Sequence, residues 1–168
     1  MSELYLKRKI DKFLYDWKAN PERKPLIVKG PRQVGKTESL LRFANANYQS
    51  VIYINFIEDP KYKLITEDGY GTHDIIKNIS RMDPSKQFEP GHTVIFFDEI
   101  QEFPEISTSL KFFKIDGRFD IICSGSLLGI NYKRIESNSV GCKTDYSMTS
   151  LDFEEFLWAK GFQSDTIS

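Results

Sequence analysis

Apolar and polar positions alternate along the chain in two ways, as short apolar runs and as longer stretches of helical spacing. From Leu4 to Trp17, the residues Leu6, Ile10, Phe13, Leu14 and Trp17 recur at helical spacing, which predicts an amphipathic helix ended by Asn20-Pro21. Leu26 to Val28 reads as a buried strand that Gly30 breaks, and Lys36 to about Asn47 carries Leu40, Leu41 and Ala44 on one helical face. "VIYINF" (Val51–Phe56) predicts a second strand, "TVIFFDE" (Thr93–Glu99) a third and "FDIICSG" (Phe119–Gly125) a fourth, with Tyr146–Ser150 a weaker fifth. Helical patches fall between them, in "DIIKNISRM" and over Ser107–Lys114. "LDFEEFLWAKG" (Leu151–Gly161) reads as a closing helix with Asp152 at its N-cap. Strands that are apolar almost throughout, alternating with helices, imply an α/β fold whose parallel sheet is covered on both faces.

Composition changes this picture little. At 168 residues, 40% hydrophobic and 28% charged, the chain has the length and make-up of one globular domain. Residues 1–22 are expected as the N-terminal amphipathic helix and 23–168 as the core. The 23 basic and 24 acidic residues nearly cancel, so the molecule as a whole offers no strong field toward nucleic acid or membrane. There is no apolar run of membrane-spanning length and no signal-peptide core. Cys123 and Cys142 make no disulfide framework and have no histidine nearby at metal-ligand spacing. The expectation is a cytoplasmic protein without membrane contact.

The chemistry is concentrated in "KGPRQVGKTES" (Lys29–Ser39), which reads G-x-x-x-x-G-K-T between a predicted strand and a predicted helix. Consecutive backbone N–H groups in such a loop form an anion-binding nest, and the free N–H groups at the helix start add to it. The nucleotide-binding residues expected are therefore Gly30, Pro31, Arg32, Gln33, Val34, Gly35, Lys36, Thr37 and Glu38. Gly30 and Gly35 let the backbone approach phosphate closely. Lys36 can reach the outer phosphates, and the Thr37 hydroxyl can ligate magnesium. A phosphate loop of this kind needs an acid at the end of another buried strand. "VIFFDE" supplies Asp98 for magnesium, with Thr37, and Glu99 to orient an attacking water. At the end of the fourth strand, "CSGSLLG" puts Ser124 and Ser126 where a hydroxyl can touch the γ-phosphate or that water, although Ser-Gly-Ser is also ordinary turn chemistry. The expected catalytic set is Glu99, Lys36 and Ser124. An extra strand, Val51–Phe56, separates the loop from Asp98, and no arginine-rich lid is evident. Both points favour hydrolysis over phosphoryl transfer to a metabolite.

With these residues in view, the chain resembles the AAA+ ATPase domain of a family of predicted ATPases of bacteria and archaea. The resemblance rests on "RKPLIVKGPRQVGKT", "VIFFDEIQEFPE", "FDIICSGSLLG" and "LDFEEFLWAKG", spread from Arg23 to Gly161. It implies a P-loop NTPase of AAA+ type with ATP and Mg²⁺ as ligands, Gly30, Gly35, Lys36 and Thr37 as Walker A residues, and Asp98 and Glu99 as the Walker B pair. Ser124 falls at the sensor position. An arginine from a neighbouring subunit commonly completes such sites, and Arg134, then Arg118, are the candidates here. Members of the family are longer, with a winged-helix-like part and a C-terminal domain of unknown function. The resemblance covers only their P-loop domain, without the helical lid and its arginine. The expected function is ATP–Mg²⁺ binding with slow hydrolysis to ADP and phosphate. The alternatives are a nucleotide-binding switch or interaction module with negligible catalysis, a DNA-associated module working through the further parts, and, at the margin, a small-molecule kinase. Self-association or a protein client is the partner class this implies.

Overall fold

The computed structural model describes residues 9–31, 34–126 and 129–149. In chain order these form α1 (Lys9–Ala19), β1 (Leu26–Lys29), α2 (Lys36–Asn47), β2 (Ser50–Asn55), α3 (Thr72–Met82), β3 (Thr93–Asp98), α4 (Leu110–Asp116), β4 (Asp120–Gly125), α5 (Gly129–Ser139) and β5 (Thr144–Ser147). Short 3-10 helices cover Pro60–Thr66, Ile100–Glu102 and Pro104–Ser109. The five strands make one sheet in the order β2-β3-β4-β1-β5, and every pairing is parallel.

Successive residues of a strand face opposite sides of the sheet, so the apolar runs build two cores at once. On one side Ile54, Phe97, Ile121 and Cys123 pack with Ile75 and Ile79 of α3 and with Leu110 and Phe113 of α4. On the other, Val28, Val94, Phe96 and Ile122 meet Leu40 and Ala44 of α2 and Ile10, Leu14 and Trp17 of α1. All six positions of β3 are buried, which explains its nearly unbroken apolar run. Among the described residues no helix is long and apolar enough to cross a membrane.

The elements depart from the sequence pattern in three places. β5 covers Thr144–Ser147, earlier than expected, because its register is set by pairing with β1, Leu26 opposite Thr144 and Lys29 opposite Ser147. The helix expected over Ser107–Lys114 begins as a 3-10 turn, where the Ser107 and Ser109 hydroxyls donate to the carbonyls of Pro104 and Ile106. It then runs as α4 to Asp116, where Gly117 at φ 72° ends it. Helix α5 carried no usable pattern, since only Ile135 and Ser139 are buried in it. The closing helix expected over Leu151–Gly161, like residues 1–8, lies outside the described residues.

Because all strands are parallel, their C-terminal ends share one edge of the sheet, the edge at which ligands bind in open α/β folds. The loops after β1, β3 and β4 meet there.

Candidate nucleotide site

The site begins where β1 stops. The Met148 N–H donates to the Lys29 carbonyl at 2.7 Å, which draws the chain after β5 against Gly30. A Cβ at Gly30 would lie 2.3 Å from the Met148 carbonyl oxygen, so no other residue fits without moving that backbone. Gly35 has φ 85°, the left-handed conformation that favours glycine, and α2 starts directly after it. The first helical hydrogen bond runs from the Ser39 N–H to the Gly35 carbonyl at 3.0 Å. The N–H groups of Lys36, Thr37 and Glu38 therefore stand at the positive end of the helix without an acceptor inside it.

Lys36 is buried at 7% exposure, and its ammonium donates to the carbonyls of Gly30 at 2.8 Å and Pro31 at 2.6 Å. Its positive charge is thus held inside the curl of the loop. Val34 is buried in the core on the α2 side of the sheet, anchoring the loop from below. Arg32 and Gln33 lie outside the described residues.

Asp98, at the end of β3, is the hub of the site. It is 1% exposed and accepts four hydrogen bonds. The Thr37 and Tyr53 hydroxyls both donate to Oδ2 at 2.7 Å. The Ser124 hydroxyl and the Glu99 N–H, the latter at 2.9 Å, donate to Oδ1. All four donors are neutral, so none of them brings a positive charge to this buried carboxylate. Burial first, and the bond to Asp98 second, push the Tyr53 phenol above its ordinary range. The buried Cys123 thiol is pushed up for the same two reasons, burial and the Asp98 charge, and stays protonated.

Glu99 sits at φ 59° and ψ 48°, the only non-glycine with positive φ among the described residues. An L-residue there is strained by about 1–3 kcal/mol, and such strain is concentrated at functional sites. Gln101 Nε2 donates to the Glu99 carboxylate at 3.3 Å, and Gln101 Oε1 accepts from the Ser126 N–H at 3.2 Å. Asn131 of α5 donates to the Gln101 carbonyl at 3.0 Å. Gln101 thereby ties the acid after β3 to the turn after β4.

A family described as an AAA domain matches residues 22–157. The chain belongs to the AAA domain family. No curated protein matches it. Many solved structures share the fold of this AAA domain, two of them as follows. One is "Structure of C. elegans PCH-2", with a TM-score of 0.54 and 12% identity, over 88% of this chain and 44% of that one. The other is "Structure of Drosophila ORC bound to DNA", with a TM-score of 0.50 and 12% identity, over 90% of this chain and 94% of that one. The chain therefore spans less than half the length of the PCH-2 chain it matches. Family membership supports nucleotide binding and ATPase-type chemistry at the general level.

The AAA domain brings Gly30, Gly35, Lys36, Thr37, Asp98, Glu99 and Ser124 to one edge of its sheet. Ser124 is fully buried with its hydroxyl on Asp98, whereas Ser126 Oγ is buried without a hydrogen-bond partner among the described residues. Of the two serines, Ser126 is the one with a free hydroxyl to offer a ligand. Arg134, on α5, pairs with Glu105. Arg118 pairs with Asp116 at 2.8 Å just before β4, at the opposite edge of the sheet from the loop.

The donor set suits Mg²⁺. No group of three or more His, Cys, Asp or Glu that could hold a metal exists among the described residues. The site instead offers one buried carboxylate bonded to one threonine hydroxyl beside the loop that joins β1 to α2. That is the sparse protein set expected for an ion that keeps its waters and rides on phosphates. A cavity of about 480 Å³ opens beside the loop between Gly30, Pro31, Ser126, Tyr132 and Met148.

Tyr53 and Gln101 went unread as site residues. Gln101, within "VIFFDEIQEFPE", carries no chemistry that spacing reveals. Tyr53 was hidden inside an apolar strand, although its two-residue offset from Asn55 puts both polar tips on one face.

Proposed function

We propose that this AAA domain binds ATP with Mg²⁺ at the loop between β1 and α2 and hydrolyses it to ADP and phosphate. The observation that carries the reading is the 2.7 Å hydrogen bond from the Thr37 hydroxyl to Asp98, which joins the phosphate loop to the acid of β3. The N–H groups of Lys36 to Glu38 would bind phosphate oxygens, and the Lys36 ammonium would exchange its loop carbonyls for the outer phosphates. Thr37 directly and Asp98 through water would hold Mg²⁺, which when bound supplies positive charge against the phosphate oxygens. Glu99, fixed by Gln101, would orient a water toward the γ-phosphorus and take its proton as the bond to the bridging oxygen breaks. Ser124 would hold Asp98 in place, and Ser126 would offer its hydroxyl to the γ-phosphate. The cavity beside Gly30 and Pro31 is room for the nucleoside.

Phosphate release measured across protein concentrations tests this reading, together with direct ATP binding. Lys36→Ala should lose ATP binding. Glu99→Gln should keep binding and slow turnover by about a hundredfold or more. Unchanged ATP affinity in Lys36→Ala overturns the assignment.

A second reading, a nucleotide-dependent switch with negligible turnover, draws on one observation. Both arginines considered for completing a neighbour's site are paired within their own chain. Turnover that rises with protein concentration favours hydrolysis between associating subunits. ATP binding with no release at any concentration favours the switch. DNA association gains nothing from a net charge of −1.

A further inference from the structure

Asp98 accepts four hydrogen bonds in this fold, two on each carboxylate oxygen. Thr37 and Ser124 were expected at the site, and the Glu99 N–H is set by the chain itself. The fourth donor, Tyr53, comes from a different strand and has no part in the chemistry described above.

Its placement is determined from several sides. Tyr53 is in register with Phe96, one pleat short of the Asn55–Asp98 pair, so its ring runs diagonally along the sheet toward the carboxylate. The Phe96 ring meets it edge-on, with centroids 5.1 Å apart and planes at 61°. Asn55 Nδ2 donates to the Tyr53 oxygen at 3.2 Å, which leaves the phenolic proton for Asp98. The oxygen it reaches, Oδ2, is the one that Thr37 also contacts.

We propose that Tyr53 is a positioning residue for Mg²⁺, its hydroxyl clamping the Asp98 carboxylate in the plane that keeps Oδ2 on the Thr37 hydroxyl. The proposal rests on the reading of Thr37 and Asp98 given above. With four donors in place, the carboxylate cannot turn about its Cβ–Cγ bond without breaking bonds on both oxygens. Without Tyr53, Oδ2 keeps only the Thr37 hydroxyl, which can rotate, and the plane is held less firmly on that side. Groups that orient a metal-binding carboxylate commonly change metal affinity by about 10–100-fold. Among the described residues the Tyr53 hydroxyl bonds Asp98 and Asn55 and not the phosphate loop, so nucleotide binding without metal should be indifferent to it.

The test uses the whole chain and Tyr53→Phe, which removes one oxygen and keeps the ring against Phe96. Binding of a fluorescent ATP analogue is titrated with MgCl₂, then repeated in EDTA. Tyr48→Phe serves as control, because it removes a tyrosine–aspartate bond at the other edge of the sheet. The expected result is a free Mg²⁺ requirement raised about tenfold in Tyr53→Phe, with EDTA binding unchanged and Tyr48→Phe like wild type. A wild-type Mg²⁺ dependence that Tyr53→Phe leaves unmoved, or that Tyr48→Phe shifts equally, overturns the role of Tyr53 alone. If wild-type binding itself ignores Mg²⁺, the reading of Thr37 and Asp98 fails, and the role of Tyr53 falls with it.

Discussion

Asp98 and Asp120 lie at opposite ends of the neighbouring strands β3 and β4, and each accepts a hydrogen bond from a tyrosine hydroxyl. Their other partners differ. Asp120 also receives the Arg23 guanidinium, whose Nε lies 2.9 Å from Oδ2, so its charge is met by a cation. Asp98 receives only neutral donors. Asp120 lines a hollow of about 320 Å³, and one of about 480 Å³ opens beside Gly30 and Ser126 at the other end of the sheet, so cavity size alone does not separate the two ends. Charge does. The Asp120 cluster is internally complete and ties the chain before β1 and the end of α2 to β4. The Asp98 cluster orients a carboxylate and leaves its negative charge available, an arrangement that costs stability unless a cation arrives.

The sharpest way to break this comparison is to neutralise each acid in turn. Asp98→Asn should lower phosphate release by about a hundredfold or more while changing unfolding free energy by less than about 1 kcal/mol. Three of its four donors are hydroxyls that can turn to accept from the new amide. Asp120→Asn should do the reverse, leaving turnover near wild type and lowering stability by about 1–2 kcal/mol, because Arg23 loses its anion. Urea unfolding and phosphate release on both variants check this, and equal stability losses would erase the distinction. A smaller effect is expected from Ser124→Ala, which removes one donor from Oδ1 and should cost about 1 kcal/mol of stability. Its Mg²⁺ requirement should rise less than that of Tyr53→Phe, because the Glu99 N–H left on Oδ1 is fixed by the backbone, whereas the Thr37 hydroxyl left on Oδ2 can rotate.

The smallest effect concerns alkaline pH, where the two ends should behave alike. Burial raises both the Tyr48 and the Tyr53 phenol above the ordinary value, and their aspartate partners add to it. The folded state then keeps protons that the unfolded chain releases above about pH 10. Stability from these groups is complete below that pH and declines as pH rises beyond it. Urea midpoints taken between about pH 8 and pH 11 should fall more gently in Tyr48→Phe and in Tyr53→Phe than in wild type.

Much of the scaffold could be read along the chain. Strands β1 to β4 and helix α2 emerge from local apolar spacing within a residue or two, and Gly30, Gly35, Lys36 and Thr37 lie close together in sequence. Their arrangement needs only a strand, a turn and a helix in succession. Asp98 and Glu99 were legible because an acid pair ending a wholly apolar strand is conspicuous. What could not be read were the partners of Asp98. Tyr53 is 45 residues away and Ser124 is 26 residues away, and both arrive only because β2 and β4 flank β3 in the sheet. That order, with β1 inserted between β4 and β5, arises from non-local pairing and from packing on both faces, which no local spacing encodes. Helix α5 escaped for a related reason, since a helix with two buried residues is held by what surrounds it. Local periodicity thus specified the elements and the loop. Strand order and register decided which side chains converge on Asp98, because hydrogen bonds to a buried carboxylate depend on where distant strands come to rest.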